Sequence, residues 1–213
     1  MAALPSESSL TVVPPLRAPR ALRPTTAPVG RHARPRLGLY DSWRTVGAAG
    51  AAVCVAWAAA VWVAMHLQAD ASLHSVALFV HLSTLVLGFG AVLVADYWGL
   101  LWMTGRCTLT EALGSTSRLH VPIWAGLVGL VFSGLFLHPN PFATPTLIKM
   151  VLVLVLTLNG LQAGLLDRRM AEQAERRAGG PTNALLAWGG ATAVISQICW
   201  WGAVIIGFRN STR

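Results

Sequence analysis

The chain has 213 residues, 54% of them apolar and only 11% charged, where an ordinary soluble domain carries about 25% charged residues. A water-soluble globule is excluded. The net charge of +8 sits in the N-terminal segment and between apolar runs, so binding to nucleic acid is not needed to explain it.

Residues 1–45 hold seven of the twelve prolines and seven arginines, with only Glu7 and Asp41 opposing them. Such a Pro-dense, basic segment cannot bury enough surface to fold, which predicts a disordered cytoplasmic tail able to touch anionic lipid. Five apolar runs follow at 46–66, 76–104, 119–137, 146–166 and 184–208. Each approaches or exceeds the roughly 20 residues that a helix needs to cross a hydrocarbon core of about 30 Å. The expected fold is all-α: a polytopic transmembrane bundle of five spans, closed by a short outer end at 209–213. The intervening loops are too short for a catalytic soluble domain, and no catalytic residue is assigned.

Thirteen basic residues lie before span one or in the second and fourth loops; the first and third loops contain none. Basic residues stay on the cytoplasmic side during insertion. The expectation is a multi-pass plasma-membrane protein with its N-terminus in the cytoplasm and its C-terminus outside. Trp98, Trp102, Trp124 and Trp188 then fall toward the inner face, and Trp57, Trp62, Trp200 and Trp201 toward the outer, as an aromatic belt. Cys54, Cys107 and Cys199 form no CxxC and read as small buried hydrophobes.

Ionisable groups at membrane depth are costly and face a bundle interior or a cavity. In span two, His81, Gly88, Gly99 and Asp96 share one face at 100° per residue. Span three enters from the side nearer Asp96 with Arg118 and His120, so an Asp96–His120 or Asp96–Arg118 pair is expected. Such a pair either fixes two helices or serves a proton relay. Lys149, near the start of span four, reads as snorkelling to the outer interface. Asn159 and Gln197 read as hydrogen-bonding between helices. Four of six histidines (His66, His74, His81 and His138) collect on the outer side. His81 with His138, joined by His66, makes an expected site for copper or one haem b iron. The alternative has His81 hydrogen-bonding a carbonyl or Gln197.

Spans two to five resemble the four-helix membrane unit of CopD-like copper-resistance proteins and of related uncharacterised actinobacterial integral membrane proteins. The likeness rests on "HLSTLVLGFGAVLVADYWGLLW", "VGLVFSGLFL", "TLIKMVLVLVLTLNGLQ" and "SQICWWGAVIIGF". It implies a bacterial membrane protein assisting copper or small-solute handling. Two further readings stand beside it: a b-type haem protein passing electrons, and a proton-coupled transporter using Asp96. The expected partners are the lipid bilayer and a second copy of the chain or another membrane protein.

Overall fold

Ser42 caps the first described helix for a local reason. Its Oγ accepts from the Thr45 backbone N–H and the Thr45 hydroxyl accepts from the Ser42 N–H, both at 3.3 Å, a reciprocal cap that satisfies two helix-start donors. The computed structural model describes residues 42–67, 70–176 and 180–211. Six helices follow one another: α1 (Trp43–His66), α2 (Ala71–Met103), α3 (Leu109–Ser117), α4 (His120–Gly134), α5 (Thr144–Arg176) and α6 (Asn183–Ser211). No strand occurs among the described residues. The expected tail lies outside the described residues up to position 41, as do Arg177 and residues 212–213 of the expected outer end.

Each expected span contains a helix, with boundaries moved by capping. Span two starts at Ala71 instead of 76 because Asp70 Oδ1 accepts from the Leu73 N–H at 2.7 Å and the Ser72 hydroxyl at 2.8 Å. These bonds, the Leu73 one foremost, hold the Asp70 carboxyl below the usual carboxylate range. Span four runs ten residues beyond 166, to Arg176, since no Gly or Pro interrupts it there. The second expected loop contains an unforeseen helix, α3. It begins at a second capping box, in which the Glu111 carboxylate accepts from the Thr108 N–H at 2.8 Å and the Thr108 hydroxyl accepts from the Glu111 N–H at 3.2 Å.

Four helices (α1, α2, α5 and α6) are long and apolar enough to cross a bilayer. The fifth expected span is represented by α4, which is apolar but has only 15 residues, a rise of about 22 Å. It ends in turns over 135–137 instead of continuing as helix.

The most extensive helix pairs are α2 with α4 and α5 with α6, and α1 lies along α5. Glycine lets α2 and α4 touch backbone to backbone. A Cβ at Gly88 would stand 3.2 Å from Gly126 Cα, and one at Gly126 would fall on the Gly88 backbone. The central cluster draws Val92 from α2, Leu127 and Leu130 from α4, Leu156 from α5, and Cys199 and Trp200 from α6. Trp200 is therefore corrected from a belt residue to a core one: it is 2% exposed and stacks on Phe89 with centroids 5.4 Å apart. A second cluster of Val46, Leu161 and Leu165 seats the start of α1 on α5. A third, Leu166, Met170 and Leu185 with Leu113 beside it, ties α3 to α5 and α6.

Candidate functional site

Asp96 is half-buried on α2, and its carboxylate oxygen Oδ2 accepts from the Gln197 amide of α6. The expected pairing with His120 or Arg118 is not formed. His120 Nε2 lies 2.9 Å from Asp167 Oδ2 on α5, and Arg118 is exposed at the end of α3. The reason is azimuth, not depth. Antiparallel contacts His81–Ser133 and Gly88–Gly126 set the α2–α4 register; carried eight residues further, that register puts Asp96 level with Arg118. Gly88 faces α4, however, and at 100° per residue Asp96 is turned about 80° from it. Phe89, on the same flank as Asp96, meets Trp200 and Trp201 of α6. The side chain of Asp96 is thus aimed at α6.

His81 reaches across to α4, where its Nδ1 is 3.0 Å from Ser133 Oγ. Ser133 Oγ is also 2.6 Å from the Gly129 carbonyl, which takes its single proton. Ser133 must then accept from His81 Nδ1–H, so the neutral imidazole keeps its lone pair on Nε2. The tautomer is inferred from this network. Lys149 is half-buried on α5.

The three expected ligands receive separate partners. His138 stacks on His74 with centroids 5.6 Å apart and planes 6° from parallel, held at a positive φ of 48°. His66 Nδ1 lies 2.8 Å from the Trp62 carbonyl of its own helix. Among the described residues, no group of three or more His, Cys, Asp or Glu side chains is placed to hold a metal ion.

A polar ladder joins α5 to α6. Asn159 Nδ2 donates to the Thr192 carbonyl at 2.9 Å, Gln162 Nε2 to Asn159 Oδ1 at 2.9 Å and to Thr192 Oγ1 at 3.0 Å, and Trp188 Nε1 to Gln162 Oε1 at 2.8 Å. Trp188 in turn stacks on Trp43 of α1, over which the Arg169 guanidinium sits. Asn159 thus hydrogen-bonds between helices as the sequence suggests. Gln197 does so too, but its partner is Asp96 and not His81.

Beside the His120–Asp167 pair is a cleft of about 380 Å³ between α3 and α5. Thr110, Leu113 and Ser117 line one wall, Gly164 and Ala171 the other. Sequence reasoning missed Asp167 because it lies just past the expected span and counted as loop. Ser133 and Thr192 carry no signal beyond an ordinary hydroxyl in an apolar run. The T-x-x-E of Thr108–Glu111 was a readable helix start.

All-helical among the described residues, with four helices long and apolar enough to cross a bilayer, the chain is a multi-pass membrane protein. No family model, curated protein or solved structure matches the chain, so its chemistry is read from its own side chains.

Proposed function

We propose that this chain is a five-crossing protein of a bacterial plasma membrane that handles a small solute through its bundle, with Asp96 as the proton-exchanging group. The observation that carries the reading is the partner of Asp96. A carboxyl hydrogen-bonded to the neutral Gln197 amide exchanges a proton without dissolving an ion pair. Ionisable groups inside a membrane bundle mark solute and proton pathways, and Gln197 is placed to bond either protonation state by rotating its amide.

The fifth crossing is α4 with its following turns, pinned to α2 by Gly88 and Gly126. Five crossings and the Arg distribution put the N-terminus in the cytoplasm and the C-terminus outside. The likeness of spans two to five to CopD-like units points to copper as the solute. A second reading, one metal or haem iron on His81, rests on the lone pair at its Nε2; an absorption spectrum and metal analysis of the purified protein separate it from the first.

The test is reconstitution into liposomes loaded with a pH-sensitive dye, under an inward proton gradient and a potassium diffusion potential, with and without monovalent copper outside. Wild type is expected to acidify the lumen several-fold faster than protein-free vesicles, and Asp96→Asn to remove the excess. Wild-type vesicles that track protein-free ones under both conditions overturn the reading.

A further inference from the structure

We infer that the cleft between α3 and α5 is the aqueous mouth through which Asp96 exchanges its proton with the Trp43 end of the bundle, with the His120–Asp167 pair as the station at its wall. The inference rests on the reading of Asp96 given above and adds the route.

Three observations converge on it. The first is room: 380 Å³ at about 30 Å³ per water holds on the order of ten waters. Gly164 and Ala171 on α5 and Gly114 on α3 leave that space open by having little or no side chain. The Ser117 hydroxyl gives its proton to the Gly114 carbonyl at 2.9 Å, so its lone pairs are left to accept from water.

The second is the pair itself. His120 and Asp167 side chains are 38% and 36% exposed while only 2.9 Å apart, so both touch solvent and each other. Imidazole can take a proton on one nitrogen and release one from the other, and Asp167 engages Nε2 alone. Arg168, also at the cleft, is engaged with Glu172 of the next turn at 3.2 Å, and Glu175 stands at the rim. The mouth is therefore not closed by an excess of positive charge.

The third is depth. The register that puts Asp96 level with Arg118 places it within two residues of His120, about 3 Å along the axis. α2 and α4 are packed neighbours, so the proposed water route crosses a single helix–helix contact. A purely structural account, in which the pair only clamps α4 to α5, requires no water path to Asp96.

Carbodiimides separate the two accounts. A carboxylic acid adds across a carbodiimide to give an acylurea with no leaving group, so the mass of the Asp96 peptide reports which reagent reached it. A water-soluble cationic carbodiimide arrives through water, and dicyclohexylcarbodiimide through lipid. In full-length protein in liposomes, both are expected to label Asp96. Ala171→Trp, or Thr110→Trp on the opposite, exposed wall, fills the cleft and should abolish labelling by the water-soluble reagent while sparing the lipid-soluble one. Asp167→Asn should leave both labellings intact and slow lumen acidification several-fold. Water-soluble labelling that survives both tryptophan variants overturns the mouth, and acidification unchanged in Asp167→Asn overturns the station. Wild-type vesicles without proton flux, but with cleft-dependent labelling, overturn the transport reading and leave the mouth standing. Asp96 labelled by neither reagent overturns the proton-exchanging role of Asp96 and the mouth with it.

Discussion

Thr108 and Glu111 exchange hydrogen bonds across one turn and so start a helix inside what composition alone treats as a loop. The Thr108 backbone N–H, and next its hydroxyl, hold the Glu111 carboxyl below its usual range. A carboxyl depressed in the folded state contributes stability above its unfolded value of about 4.3, and loses that contribution as pH falls through the lower folded value. The first turn of α3 should therefore fray in acid. Amide exchange at Glu111 and Ala112 is expected to accelerate below about pH 4 beyond the intrinsic trend, and Glu111→Gln should remove this extra dependence. A Glu111→Gln profile identical to wild type would show that the carboxylate does not hold the turn. At Asp96 and His81 the residue scale was only half legible. Spacing put both on the inward side of α2, but the choice of Gln197 and Ser133 as partners depends on which helices flank that side.

The α2–α4 pair is the element on which the bundle depends most visibly. Gly88, Gly126 and Gly129 bring two backbones together, and a Cβ at Gly129 would fall on the Thr84 side chain. Small residues permit such close approach in membranes, where packing takes over from the hydrophobic effect in joining helices. Gly126→Ala should cost about 1–3 kcal/mol, as overpacking typically does, and lower the melting temperature in detergent. Gly90→Ala is the control: nothing lies within 4 Å of the position its Cβ would take, and alanine is the better helix former. Equal melting of the two variants would mean that α2 and α4 do not meet through Gly126. The length of the apolar runs foretold a helix in every one of them. It did not foretell that α4 would stop at Gly134, nor that α5 would run on to Arg176, because polarity marks where a chain leaves lipid and hydrogen bonding decides where a helix ends.

At the scale of the whole molecule, the proposed five crossings put the start of α1 and the end of α6 on opposite faces. Alkaline phosphatase and green fluorescent protein fusions test this directly. Fluorescence is expected from a fusion after Gly180, and phosphatase activity from one after Arg213. The reverse pattern, phosphatase activity after Gly180 and fluorescence after Arg213, would mean four crossings with α4 not spanning, and the same reporter active at both positions would mean that α6 does not cross. What the sequence determined by itself is the solvent: a chain 54% apolar with five long apolar runs is committed to helices in a bilayer, since every backbone group must find its partner within the segment. The aromatic positions were legible only in part, for Trp200 became core once Gly88 left room beside it. Tertiary structure alone decided the polar partners. His120 could meet Asp96 by depth, yet it meets Asp167, because the rotation of α4 about its axis turns that ring toward α5. Depth follows from counting residues along one helix; partnership depends on the rotation and neighbours of every helix at once, which no single stretch of sequence encodes.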